Sequence, residues 1–181
     1  MEWILNIDLY LFELINLNGG AILDPIMILI SSKWAWTPLY IYLLFLIYKK
    51  FSNKFIWVLI SLILLILIAD QTSVHLFKNV FERLRPCHQL ENIRIVEGCG
   101  GLYGFISSHA SNAFALIFFL HFLFQNKHLF LWLTAWGLLI GISRIYLGGH
   151  FPSDVLGGIC WGFIVSMFVF RLLKIKLNET I

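Results

Sequence analysis

Charge is what this sequence has least of. Only 13% of its 181 residues are Asp, Glu, Lys or Arg, against about 25% in a soluble globular domain. With 60% hydrophobic residues the chain is too apolar for a soluble fold, and an integral membrane protein follows. A net charge of +3 is too small to suggest a nucleic-acid partner. Cysteine is scarce as well: three residues exclude a disulfide-dense scaffold and a four-thiolate zinc site. Cys160 lies in an apolar run and reads as a small buried hydrophobe. Cys87 and Cys99 share one polar stretch, where they could bridge if it faces an oxidising compartment. Cys87-His88 with Cys99 lacks a zinc-site spacing. There is no basic region ahead of the first apolar stretch, which opens at Glu2 and carries Glu13, so a cleavable signal peptide is not expected. Internal repeats and low-complexity segments are absent beyond the apolar runs themselves.

What is present is a series of apolar runs with short polar breaks, which predicts one all-α domain over 1–181, a polytopic membrane bundle of about five or six helices. Residues 3–17 are short for a span and either lie in the interface or cross tilted. The run 22–48 is interrupted at Ser31-Ser32-Lys33 and followed by Trp34, Trp36, Tyr40 and Tyr42, an interfacial belt or a packing cluster. Further spans are expected over 55–69, 107–124, 129–142 and 152–173, and 77–105 is the only long polar loop. The turns at 49–54 and 125–128 and the tail from Arg171 hold seven positive charges, which alternation puts on one side, predicted cytoplasmic. The loop 77–105 and the break 143–152 then meet on the opposite side.

Three segments on that side carry chemistry. Lys78 to Pro86 supplies Lys78 and Arg85; Phe105 to His109 supplies Ser107, Ser108 and His109; Ser143 to Asp154 supplies Arg144, Gly149, His150 and Asp154. An Arg or Asp costs roughly 2.5–3.5 kcal/mol at mid-bilayer, so a cluster at the membrane edge implies a polar site. Phosphoryl transfer needs such a set: cations neutralise the equatorial oxygens, and a helix opening at Ser107 offers free backbone N–H groups to an anion. Gly149 lets backbone come close to a ligand. A carboxylate cluster for a metal is missing, so the chemistry is expected to need neither metal nor cofactor.

These residues resemble the type 2 phosphatidic acid phosphatase family, related to vanadium haloperoxidases. Its signature reads Lys, six residues, Arg-Pro; then Pro-Ser-Gly-His; then Ser-Arg, five residues, His, three residues, Asp. Lys78, Arg85 and Pro86 meet the first part, and Ser143, Arg144, His150 and Asp154 the third. In the second, Ser107 and His109 stand, Ile106 replaces Pro and Ser108 replaces Gly. The resemblance implies that His150 attacks phosphorus, Asp154 holds its tautomer, and His109 protonates the leaving oxygen and then activates water. It implies that Lys78, Arg85, Ser107 and Arg144, with backbone N–H groups near Ser108 and Gly149, bind the phosphoryl oxygens.

The expected function is a membrane lipid phosphatase of the bacterial inner membrane, its site facing the extracytoplasmic side and its partners a lipid substrate and the bilayer. Undecaprenyl diphosphate is the expected substrate, since the chain resembles short bacterial members assigned that role. Phosphatidylglycerophosphate, phosphatidic acid and lipid A phosphate are the alternatives. A haloperoxidase is disfavoured by the retained spans, and a transporter or scaffold leaves the three motifs unexplained. A Cys87–Cys99 disulfide is expected from the loop's predicted side. The blander readings fall on residues outside the signature: Arg83 touching lipid headgroups, Arg94 as a solvated loop charge, and Asp70 paired with a polar group of a neighbouring helix.

Overall fold

The computed structural model describes residues 2–178. Six helices of 15 residues or more form the body: α1 (Glu2–Asn16), α3 (Thr37–Phe51), α4 (Phe55–Thr72), α7 (Ser108–Phe124), α8 (Lys127–Tyr146) and α9 (Pro152–Asn178). Three short helices complete it: α2 (Leu23–Ser31), α5 (Asn79–Phe81) and α6 (Pro86–Gln89). By length and apolarity the run Trp34–Phe81, α8 and α9 suffice to cross a membrane, and Ser108–Phe124 is a shorter apolar helix. The protein is an integral membrane bundle.

Local signals explain where the helices start. Ser107 precedes α7 with its hydroxyl accepting from the Ala110 N–H, and Asn126 caps α8 by accepting from Leu129 N–H at 3.0 Å. Pro152 occupies the first turn of α9, and Asp154 reaches back to accept from the Phe151 N–H at 2.9 Å, the carboxylate half of a capping box. The apolar run at 22–48 is two helices, because Ser32 and Lys33 turn the chain between α2 and a short 3-10 segment, Trp34–Trp36. α4 does not stop near Asp70. It continues through a wider π-turn, Ser73–Lys78, into α5, so Lys78 sits on a helix rather than in a loop.

α7 and α9 pack most intimately. Gly158 and Gly162 make this possible: a Cβ on Gly158 would lie 2.6 Å from the Ser107 carbonyl oxygen, and one on Gly162 2.7 Å from that of Ser111. Either substitution would drive the helices apart. Leu43, Ile47, Leu65, Phe119, Leu120, Leu133, Val165 and Val169 fill the core between α3, α4, α7, α8 and α9. Trp36 and Tyr40 pack edge-on against Trp136, with ring centroids 5.7 and 6.3 Å apart, so these aromatics are packing residues, while Trp34 is exposed. Cys160 is exposed on α9, contrary to its expected burial; it faces outward among apolar side chains that water would not tolerate and lipid does.

Chain direction puts the α3–α4 turn, the α7–α8 turn and the end of α9 at one end of the bundle. Lys50 Nζ donates to the Leu123 carbonyl at 3.1 Å, which ties the two turns together. The candidate catalytic segments lie at the other end.

Candidate active site

Four helix ends and one loop meet there. The π-turn at the end of α4 brings Ser73 and Lys78 to the start of α7, where Lys78 Nζ donates to Ser108 Oγ at 2.7 Å and Ser73 Oγ lies 2.6 Å from the same oxygen. Ser107 is fully buried, its hydroxyl spent on the α7 cap and its N–H donating to the Asp154 carbonyl at 2.9 Å. Of the two serines, Ser108 therefore offers its hydroxyl beside the Lys78 ammonium, and Ser107 locks α7 onto α9. His109 follows in the first turn, within electrostatic reach of Arg144, His150, Lys33 and Lys78.

His150 is 1% exposed, between two cations and a carboxylate. Its Nε2 lies 3.4 Å from Arg85 Nη1, and its Nδ1 lies 3.5 Å from Asp154 Oδ2. The second contact is long for a hydrogen bond, as such contacts often are before substrate binds. Arg85 also donates to the Gly149 carbonyl at 3.3 Å and to the Tyr103 carbonyl at 3.2 Å. A Cβ on Gly149 would sit 3.1 Å from Arg144 Nη2 and 3.7 Å from Arg85 Nη1, so a residue without a side chain lets backbone pass between the guanidiniums. Arg144 donates from Nη1 to Ser31 Oγ at 2.5 Å, and its buried Nε has no partner among the described residues. Arg85, Arg144 and Lys78 all act electrostatically on His150, so three cations share this end of the bundle.

Burial first, then the neighbouring Arg85, Arg144 and Lys78 charges, hold the His150 imidazole well below its ordinary pKa. The surroundings therefore favour the neutral ring over the charged one. Histidine-selective NMR should show one resonance, lost in His150→Asn, titrating below the ordinary value of about 6.5. Arg85→Gln should move it upward, because one disfavouring cation is gone. If the resonance lost in His150→Asn titrated at or above about 6.5 in the unaltered protein, the arrangement would be refuted.

Arg83 is not the lipid-facing charge the sequence suggests, because its guanidinium is turned inward onto carboxylates. Its Nη1 donates to Asp154 Oδ1 at 2.9 Å and to Ser153 Oγ at 2.5 Å, and its Nη2 to Asp8 Oδ2 at 2.6 Å. Asp8, on α1, also accepts from the Ser153 N–H at 2.8 Å. Arg94, read as a solvated loop charge, donates to both oxygens of Asp24 at 2.7 and 2.8 Å, and Asp24 accepts from the Tyr146 hydroxyl at 2.6 Å. Asn16 donates to the carbonyls of Arg94 and Tyr146, at 2.8 Å each, and so ties the loop to the end of α8, next to Arg144. Spacing signals could not find these pairs, because their members lie 70 or more residues apart.

The loop carrying Arg83 and Arg85 doubles back on 102–104: Arg85 N–H donates to the Leu102 carbonyl at 3.1 Å and Gly104 N–H to the Arg83 carbonyl at 2.8 Å. A disulfide joins Cys87 to Cys99, with Cα atoms 5.8 Å apart, and so occupies both sulfurs that gather beside His88. Closing a loop of this size restrains the unfolded chain by about 3 kcal/mol. Reduction should therefore lower the melting temperature in detergent and reduce turnover several-fold, as Arg85 loses its backing. Alkylation of both thiols without reductant, read by intact mass, would count against the bridge.

The sequence profile of the PAP2 superfamily matches residues 54–177. The chain belongs to the PAP2 superfamily. It is 39% identical to the lipid A 4'-phosphatase of Porphyromonas gingivalis, over 95% of this chain and 75% of that protein. It is 33% identical to the lipid A 4'-phosphatase of Bacteroides thetaiotaomicron, over 94% of this chain and 79% of that one. Identity to the undecaprenyl-diphosphatase of Sulfolobus acidocaldarius is 28%, over 86% and 73%. The same fold is seen in the crystal structure of Aquifex aeolicus LpxE, with a TM-score of 0.68, 24% identity, and 90% of this chain and 94% of that one covered. It is seen also in a transmembrane PAP2 type phosphatidylglycerolphosphate phosphatase from Bacillus subtilis, with a TM-score of 0.73, 22% identity, and 100% and 89% covered. The protein is thus a PAP2 membrane lipid phosphatase.

Proposed function

We propose that this PAP2 protein removes the phosphate from a phosphorylated glycolipid of the lipid A kind, through a phosphohistidine on His150, at the extracytoplasmic face of a bacterial inner membrane. The observation that carries the chemistry is the convergence of Lys78, Arg85 and Arg144 on His150, whose Nε2 lies 3.4 Å from Arg85 Nη1 and whose Nδ1 faces Asp154. The substrate class follows the relatives that align along nearly the whole chain, which are named for lipid A. Undecaprenyl diphosphate, the expected substrate, takes second place, since the relatives named for it are less similar or align over a shorter stretch. The side follows from the seven positive charges at the opposite end of the bundle.

In the first half-reaction His150 Nε2 attacks phosphorus, the P–O bond to the lipid breaks, and His109, protonated in the presence of the bound phosphate's negative charge, gives its proton to the leaving alkoxide. In the second, His109 takes a proton from water, which attacks phosphorus; the P–N bond breaks and inorganic phosphate leaves. Asp154 keeps the proton on Nδ1, so that Nε2 carries the lone pair. The three cations and the Ser108 hydroxyl hold the phosphoryl oxygens throughout.

Purified protein should be assayed for phosphate release from lipid A, undecaprenyl diphosphate, phosphatidylglycerophosphate and phosphatidate under one detergent condition. The expected result is a kcat/KM for lipid A at least tenfold above the others. Undecaprenyl diphosphate as the best substrate would overturn the substrate class, and no release from any of the four would overturn the reading itself.

A further inference from the structure

A groove of about 380 Å³ runs down from this site between α3, α4, α7 and α8. Its mouth is polar, with Lys33, Ser108 and His109, and its depth is apolar, with Leu43, Leu116 and Trp136. Two residues break that division. Asp70 of α4 and Asn112 of α7 face the groove, and Asn112 Nδ2 donates to Asp70 Oδ1 at 3.0 Å. Asn112 lies four residues past Ser108, one helical turn or about 6 Å below the Lys78–Ser108 pair.

An interhelical lock needs one such bond, yet the pair leaves more than one acceptor over. The remaining Asp70 oxygen has a single contact, with Gln71 Nε2 at 3.5 Å, and buried Asn112 Oδ1 has no hydrogen-bond partner among the described residues. Acceptors left without donors at the wall of an apolar groove are costly, and a ligand donor offsets that cost. The mouth fixes the phosphate, so the donor must sit a few bonds from the phosphate ester.

We infer that Asp70, supported by Asn112, accepts a hydrogen bond from an O–H or N–H that the lipid carries close to its phosphate, and so selects acylated amino-sugar phosphates over donor-free lipid phosphates. Phosphatidate places two ester carbonyls there, and a prenyl chain places only hydrocarbon. An amide-linked or hydroxylated acyl chain on an amino sugar places a donor. The donor-free lipids cover the half-buried Asp70 carboxylate without pairing it, and that asymmetry is the basis of large discrimination. This inference rests on the lipid phosphatase reading and deepens its substrate class.

The test compares kcat/KM for three lipids in detergent: a phosphorylated glucosamine lipid with amide-linked 3-hydroxyacyl chains, plain phosphatidate, and phosphatidate with 3-hydroxyacyl chains. Asp70→Leu should cut the ratio of donor-bearing to donor-free substrate tenfold or more, chiefly through KM, and Asp70→Asn, which can still pair with Asn112, should cut it less. Thermal unfolding reads any purely structural loss, which would lower all three rates alike. Ratios unchanged in both variants overturn the inference. Should the unaltered protein ignore the glucosamine lipid, the proposed function fails, while the phosphatidate pair still reads the donor effect.

Discussion

His150→Ala should lower phosphate release by at least a thousandfold, on the order of 4 kcal/mol of barrier. The loss is large because the proposed covalent route runs through this one nitrogen. Nε2 is the atom placed against Arg85, and the ring is held neutral by its burial and by the cations around it. What remains after the substitution is binding and charge neutralisation, which position the ester without cleaving it. A radiolabelled phosphate should be trapped on the unaltered protein by rapid denaturation and be missing from His150→Ala. Asp154→Asn should cost less, about ten- to a hundredfold, because it disturbs the tautomer and the cap while the attacking nitrogen stays. More than a tenth of the original rate in His150→Ala would sink the nucleophile assignment.

The helices and the site differ in how much of them a sequence can display. Apolar runs and turn residues mark spans one at a time, so α7, α8 and α9 lie within a few residues of their expected bounds. α4 ran past Asp70 because helix continuation there is settled by packing: Trp161 Nε1 donates to Thr72 Oγ1 at 2.7 Å, and Ser73 meets Ser108, both contacts between distant segments. The motif residues were legible for the same reason as the spans, since their spacings are fixed by local geometry. His150 and Asp154, for instance, flank Pro152 at the opening of one helix. Arg83 and Arg94 carry no such local mark. Their partners, Asp8 and Asp24, belong to α1 and α2, and only the tertiary fold brings those helices to the site. Ser107 and Ser108 were legible as a pair. Which hydroxyl is spent on the cap depends on the helix phase, and adjacent residues on a helix point about 100° apart.

Arg83→Leu should be the most damaging change outside the signature, with an expected loss of about 3–5 kcal/mol of stability, the usual cost of removing one partner from a buried ionic cluster. Asp8 is 5% exposed and Asp154 fully buried, and the Arg83 fork bridges them at 2.6 and 2.9 Å. Without it two carboxylates remain in a cleft with no cation between them. Arg83→Lys should recover only part of the loss, since a single ammonium cannot span both acids as a planar guanidinium does, nor stack as Arg83 does on Phe151 at 4.3 Å. Stability and turnover should separate in the double variant. Asp8→Asn combined with Arg83→Leu removes one uncompensated charge, so part of the stability should return. Turnover should stay low, because Asp154 has still lost the group that aims its second oxygen at His150. Thermal unfolding in detergent together with phosphate-release rates on the three variants reads both effects. Arg83→Leu protein that unfolds within about 0.5 kcal/mol of the unaltered chain, the ordinary range for surface changes, would show that Arg83 does not hold Asp154 in place.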